Sequence, residues 1–359
     1  MSNPISIVIL FLFLLISVDP VKIVGKEEAL FNIRNVVIHE DILLVLSGTE
    51  PHIHVYQNDS YITFGNKGPG PFEFNEPVSI CMAGDTLYVL DFQPSNNKLI
   101  TFTLSGERLE ERPLDHLFMA RSITCNERSG VITDSRRDVG ANGQISAPNL
   151  HLYNLYQNDH ILSIQYPEEI TIPTPSGPMR SWSLSPPFHP IPQWALQTDG
   201  TLAYWDDESD LVNILSVEGE KSGTISVPDI QFELTDKEID SWLEREYPED
   251  RSAFGMSLSG LRDEIIKRVQ FPGHFPKIGG LRGDPEQGIW VLHARHSSGE
   301  IWSWVKDNEH IQTYKFPAGN QLVAIGKKEI GLKVEQEDGF ELIEIFNKED
   351  LDSFSFIVE

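Results

Sequence analysis

From residue 30 onward, apolar and polar positions alternate in short runs divided by turn residues. Ile33–Ile38, Ile42–Leu46 and His52–Tyr56 form three strand-like runs. Val78–Cys81, Leu87–Leu90 and Lys98–Leu104 form the next set, with a further short run after Gly106. In Leu99–Leu104 the residues Ile100, Phe102 and Leu104 share one face, the period-two mark of a half-buried strand. Turn signals at Gly84-Asp85, Ser105-Gly106-Glu107, Asp199-Gly200, Gln287-Gly288 and Asp338-Gly339 predict tight antiparallel hairpins.

A longer period lies over this alternation. Asp85–Asp91, Gly200–Asp206 and Gly288–His293 read as the second strand of successive units. Each is followed by a polar loop and a third strand that ends near a turn, at Gly106, Gly219 and Asn308. Four-stranded units repeating at about 40 to 50 residues predict an all-β fold, a six-bladed β-propeller. The blades are expected at 31–66, 77–114, 119–167, 178–229, 274–317 and 320–350, within one domain of residues 21–359. Ring closure is expected from both ends of the chain, residues 21–30 with 353–358. A β-sandwich is the alternative for such alternation.

Residues 233–270 break the pattern. Leu234-Thr235-Asp236-Lys237-Glu238-Ile239 has the Thr-x-x-Glu capping box, with Leu234 and Ile239 spaced as a hydrophobic staple. Ile239, Trp242 and Leu243 follow at helical spacing until Tyr247-Pro248 stops the helix. A second helix is predicted over Ser259–Val269, with Leu261, Ile265, Ile266 and Val269 on one stripe. The pair reads as a helical hairpin inserted between blades 4 and 5. Its stripe is expected to lie on the propeller face at the channel mouth, as a lid.

The chain opens differently again. Ile5–Val18 is apolar except for Ser6 and Ser17, and Asp19-Pro20 ends the run. Residues 1–20 therefore read as a secretory signal or an uncleaved N-terminal anchor, and the protein as exported, periplasmic or extracellular. No Lys or Arg precedes the run, no Ala-x-Ala site follows it, and no nearby Cys supports a lipid anchor. The mature chain is expected to start between Val18 and Lys26. With 28 Lys+Arg against 54 Asp+Glu, the net charge is −26. Such a chain is repelled by phosphate backbones and anionic lipid, so nucleic acid is not an expected partner, nor is a membrane beyond the N-terminal segment. The apolar share of 40% suffices for a sizeable core, and a monomer is expected.

Phe64-Gly-Asn-Lys-Gly-Pro-Gly-Pro-Phe-Glu-Phe-Asn-Glu-Pro77, followed by Leu87-Tyr-Val-Leu-Asp91, resembles the opening blades of the bacterial six-bladed β-propeller family related to NHL repeats. Pro187-Phe-His-Pro-Ile-Pro-Gln-Trp-Ala195 resembles its fourth blade, and Leu234–Ile239 its helical insert. Phe271-Pro-Gly-His-Phe-Pro276 leading to Gly288-Ile-Trp-Val291 resembles its fifth blade. The likeness spans most of residues 30–345 and departs most at 130–175. It implies a fold and an exported location, and no general activity.

Candidate chemistry is sparse. Gly65–Pro71 cannot cradle a phosphate, because two of its residues are prolines without an N–H and no helix follows; a linker between blades is expected. His52 and His54 stand on one strand face at a spacing that can hold a metal, and His293 and His296 lie near the end of another strand. No resident cofactor is expected; Ca2+ is the ion such an acidic exported propeller would take, but no Asp-x-Asp-x-Asp-Gly loop supports it. Gly-x-Ser-x-Gly is absent, and Gly255-Met-Ser-Leu-Ser-Gly260 lacks the preceding strand of a nucleophile elbow. Cys81 and Cys125 lie in first strands of neighbouring units; they are expected as buried thiols, with a disulfide as the alternative in an oxidising compartment.

The scarce arginines say more. Arg121 and Arg180 stand where a blade's first strand begins, and Arg295 follows the second strand of blade 5. An Arg in so acidic a chain is either paired with a carboxylate or kept for an anionic ligand. With Trp194 from the segment before the helical insert and Trp242 from the insert itself, these residues are the candidate ligand-binding set. The expected ligand is a small or extended anionic molecule, or a protein or peptide. The leading expectation is thus a non-catalytic exported binding propeller. Its rival is a metal-dependent, lactonase-like hydrolase or lyase working at the axial opening, since fold alone does not separate the two.

Overall fold

The computed structural model describes residues 19–356 apart from 27–29, 49–50, 59, 69, 71–72, 94–95, 140–144, 168, 174–180, 207–208, 248–251, 254–255, 287 and 337. The apolar N-terminal segment, residues 1–18, lies outside the described residues, and among those described no helix is long and apolar enough to cross a membrane.

Six four-stranded antiparallel sheets follow one another along the chain. Blade 1 takes Ile33–His39, Ile42–Ser47, Ile53–Gln57 and Ser60–Phe64, and blade 2 takes Pro77–Ala83, Thr86–Asp91, Lys98–Thr103 and Arg108–Pro113. Blade 3 takes Ala120–Cys125, Gly130–Val139, Ile145–Asn154 and His160–Gln165, and blade 4 takes Gln193–Leu196, Leu202–Trp205, Leu211–Leu215 and Lys221–Ser226. Blade 5 takes Gly280–Asp284, Gly288–His296, Gly299–Lys306 and Glu309–Pro317. Blade 6 takes Asn320–Ile325, Glu329–Glu335 and Glu341–Asn347, and its outermost strand is Lys22–Val24 from the start of the chain.

That last pairing corrects the expected closure. Residues 22–24 do close the ring, but against Ile343–Ile345; the C-terminal segment instead forms a 3-10 helix, Lys348–Phe354, and Ser355 bridges to Tyr314 of blade 5. Blade 4 also begins later than expected. Ser181–Leu184 pairs with Ile170–Pro173 in a separate two-stranded ribbon, so the first strand of blade 4 starts at Gln193.

First strands of neighbouring blades lie beside one another, as around a propeller axis: blade 1 with blades 2 and 6, blade 2 with blade 3, and blade 4 with blade 5. The core is a ring of six apolar clusters, one in each gap between blades. Inner strands are therefore covered on both faces: every residue of Ile42–Ser47 is buried, whereas Ser60–Tyr61-Ile62-Thr63 of the outer strand are exposed. Turns follow the sequence signals. Gly84, Gly106, Gly200 and Gly339 have positive φ, and Asp307 and Asn308 (φ 52° and 63°) make the two-residue turn of blade 5. Residues 65–76 link blades 1 and 2, with fully buried Phe74 as their anchor.

Cys81 and Cys125 form a disulfide, with Cα atoms 5.6 Å apart, which corrects the expectation of two thiols. Lateral contact between the first strands of blades 2 and 3 brings the two residues together.

The helical insert occupies its predicted place. Helix α1 spans Asp236–Glu246, with Thr235 as N-cap accepting from the Glu238 N–H, and helix α2 spans Leu258–Arg268. Leu243, Leu261, Ile265 and Val269 are buried against Ile170 and Leu184 of the ribbon and against Phe271. The ribbon covers that part of the stripe, while Ile239 packs on the Leu234, Phe275 and Ala294 cluster and Trp242 meets Phe188 and Phe271. Ile266 leaves the predicted stripe and is 53% exposed. The Glu238 carboxylate does not close the capping box; it accepts from Ser297 N (2.6 Å) and Oγ (3.0 Å), tying α1 to blade 5.

Candidate functional site

First strands begin, and second strands end, on one face of the ring, here called the upper face. Strands that alternate in direction must also place every connection from second to third strand on this face. The helical insert, the ribbon and the segments leading into blades 4 and 5 therefore gather there. Between them lies a cavity of about 360 Å³, within the size range of small-molecule sites.

Three rings build one wall. Phe188 precedes blade 4, Trp242 projects from α1, and Phe275 precedes blade 5. The Phe188 ring meets Trp242 at 5.6 Å and Phe275 at 5.5 Å, both edge to face. The lining continues along the end of blade 5's second strand, Leu292 to Arg295, where Ala294 packs on Phe275, and through Gln193 from blade 4. Arg245 and Glu246 of α1 stand at the rim, ion-paired at 3.0 Å.

Two histidines of the lining have assigned roles. His293, 1% exposed, donates from Nδ1 to the Lys277 carbonyl at 3.1 Å, so Nε2 accepts from Ser303 Oγ at 2.9 Å. Burial pushes its pKa down to about 4, and the imidazole is neutral at pH 7. His189 donates from Nε2 to the Gln270 carbonyl at 3.0 Å.

Positive charge enters through Arg295, whose Nε donates to Glu300 Oε1 at 2.7 Å. Arg282, on the first strand of blade 5, donates from Nη1 to the Val323 carbonyl of blade 6. Loss of solvent pushes Arg282 down to about 10 against the pull of Glu300, leaving it a cation at pH 7.

The buried carboxylates of the blades hold backbone instead of facing this cavity. Asp91 accepts from the Asn75 and Glu76 N–H groups ahead of blade 2, and Asp134 from Met119 ahead of blade 3. Glu341 accepts from Ile33 N and Glu300 from Leu322 N, at the first strands of blades 1 and 6. Among the described residues no three His, Cys, Asp or Glu side chains gather as a metal-ligand set.

Of the residues singled out in the sequence, the fold brings Trp242, His293 and Arg295 to this cavity. Trp194 pairs with Tyr204 and packs in the core between blades 3 and 4. Arg121 stands exposed at a β-bulge where blade 3 begins, with Nη2 against Met119 Sδ. Arg180 lies outside the described residues, and the strand that follows it belongs to the ribbon rather than to blade 4. His52 and His54 share a face of blade 1 with ring centroids 6.4 Å apart, and His54 Nδ1 lies 2.9 Å from the Tyr61 hydroxyl. His296 packs on Phe275 and Phe232, with Nδ1 3.6 Å from Glu238 Oε1.

Arg245 and Arg282 were missed. Helical spacing offered the first, three residues beyond Trp242; the second lay in Gly280-Leu281-Arg282-Gly283, the strand after the Phe271–Pro276 motif.

Fold and site together define a six-bladed β-propeller with a helical insert over one face. Residues 14–167 match a family model described as a 6-bladed beta-propeller, the stretch that holds Phe64–Pro77 and Leu87–Asp91. No curated protein matches the sequence. Similar solved structures include a Bacteroides fragilis protein described as exported, at 12% identity and TM-score 0.48, covering 92% of this chain and 94% of that one. Regucalcin, a calcium-binding protein from Agrobacterium tumefaciens, is similar at 10% identity and TM-score 0.44, covering 91% and 94%. Virginiamycin B lyase from Staphylococcus aureus is similar at 9% identity and TM-score 0.42, covering 92% and 89%. None of these likenesses bears on what the cavity holds.

Proposed function

We propose that this chain is an exported ligand-binding propeller, and that it receives a small organic anion in the upper-face cavity between blades 4 and 5 and the helical insert. The observation that carries this reading is the cavity itself: aromatic rings and guanidinium groups line it together in a chain of net charge −26. Apolar walls supply affinity and a few placed polar groups supply orientation. Binding is preferred over hydrolysis or lyase chemistry because the buried acids Asp91, Asp134, Glu300 and Glu341 each already accept a backbone N–H. Export is supported by the uncharged apolar leader Ile5–Val18 and by the Cys81–Cys125 disulfide, a bond that persists in oxidising compartments.

Gly279 supplies a blocking variant. It lines the cavity and is exposed, and an added Cβ would meet Leu292 at ordinary contact distances of 3.5 Å and beyond. Ligand-observed NMR with a fragment set of mixed charge is expected to find binders, most of them anions, that Gly279→Phe no longer binds while its melting temperature is unchanged. Binders unaffected by Gly279→Phe, or none at all, would refute the reading.

A further inference from the structure

The Arg295 guanidinium is held in one orientation before any ligand arrives. Its Nε donates to Glu300 Oε1, and Glu300, 4% exposed, is fixed in turn: its Oε2 accepts from Trp302 Nε1 at 2.8 Å and from Leu322 N at 3.0 Å. A clamped carboxylate thus sets the plane of the guanidinium. The two Nη groups make no hydrogen bond to any described residue, and the side chain, 54% exposed, lines the cavity. A planar fork with two free N–H-bearing ends matches the two oxygens of a carboxylate.

Charge counts point the same way. Arg282 also feels the charge of Glu300, so the Arg282–Glu300–Arg295 set carries one net positive charge. Arg245 and Glu246 at the rim cancel each other, and His293 is neutral. One positive charge balances a monoanion; a dianion would bring an uncompensated charge into a chain already at −26. In the same cavity, the Phe188, Trp242 and Phe275 rings offer apolar surface for the rest of the molecule.

We propose that the ligand is a small amphipathic monocarboxylate, its carboxylate taken by the Nη groups of Arg295 and its aromatic or branched apolar body laid on Phe188, Trp242 and Phe275. The proposal rests on the cavity being the binding site, as argued above.

The probes are 3-phenylpropionate and its uncharged isostere 3-phenylpropionamide, titrated into the full chain by calorimetry at low salt. The propionate is expected to bind at least about tenfold more tightly, the scale of a hydrogen bond to a charged group. Arg295→Gln should erase that difference with little change in amide affinity, and Arg295→Lys should restore part of it. The Lys variant also keeps the test usable if the Gln variant folds poorly. Equal affinity for the two probes, both lost in Gly279→Phe, would overturn the carboxylate assignment and leave the cavity reading standing. Binding of neither probe at millimolar concentration would overturn the ligand class, while the mixed-charge fragment set judges the cavity separately. A preference for the propionate that survives Arg295→Gln would move the anion's receptor away from Arg295.

Discussion

Removing the Cys81–Cys125 bond perturbs the junction of blades 2 and 3 at the innermost strands. The two half-cystines are 44 residues apart and pack among Leu90, Leu99, Leu114, Ile123 and Leu155. In the chain-entropy treatment, closing a loop of that length restricts the unfolded ensemble by about 4 kcal/mol at 25 °C. Unfolding entropies of about 2 cal/mol/K per residue convert this to a fall of about 5–6 °C in melting temperature for a chain of this size. The cleanest comparison is the oxidised protein, the protein held in a phosphine reductant, and the Cys81→Ala/Cys125→Ala variant, each melted by calorimetry at pH 7. The reduced and variant proteins should melt together, both well below the oxidised form. Thiol titration of denatured protein exported to an oxidising compartment should find no free thiol. A melting temperature unchanged by reduction, or two titratable thiols in the exported protein, would refute both the bond and the compartment argument built on it.

Other consequences are equally concrete. A Cβ added at Gly283 would lie 1.9 Å from the Leu196 carbonyl oxygen, where the first strands of blades 4 and 5 meet; Gly283→Ala should cost about 1–3 kcal/mol by urea unfolding. Gly223→Ala, with nothing within 4 Å of the added carbon, should be neutral or slightly stabilising. His293 holds its proton more weakly folded than unfolded, with its pKa pushed to about 4. The unfolded chain therefore takes up more protons as pH falls from about 6.5 towards 4, and stability drops across that window. Between pH 7 and pH 5 the loss from this one residue is about 2 kcal/mol. Urea midpoints of wild type and His293→Gln should differ in pH slope by that amount, and parallel slopes would show that His293 is not the cause.

A propeller's hydrogen-bonded pairs are almost all local, and that is why much of it was legible. Each blade is three successive hairpins, so alternation and turn residues repeat with the blade and betray the count. The helical insert was equally plain, because Thr235, Glu238, Ile239, Trp242 and Leu243 signal a capped amphipathic helix within a few residues. The misplacements fall where local pattern is silent about partners. Ser181–Leu184 reads as a strand wherever it pairs, and only packing assigned it to Ile170–Pro173 instead of blade 4. Lys22–Val24 is too short to announce that it crosses the whole chain to close blade 6, and the β pattern of 130–175 was blurred by two ten-residue strands and the added ribbon. The disulfide also needed the ring, since two cysteines 44 residues apart carry no sign of which blades touch.

The site shows the division most clearly. The sequence by itself determined that scarce arginines and clustered aromatics flank the helical insert, and it singled out Trp242 and Arg295. Tertiary structure alone decided that Phe188, Trp242, Phe275 and Arg295 share one cavity. It also set Glu300 against the Arg295 guanidinium and took Trp194 into the core between blades 3 and 4. Secondary structure arises from neighbours along the chain, whereas a cavity is bounded by segments that meet only after the ring has closed.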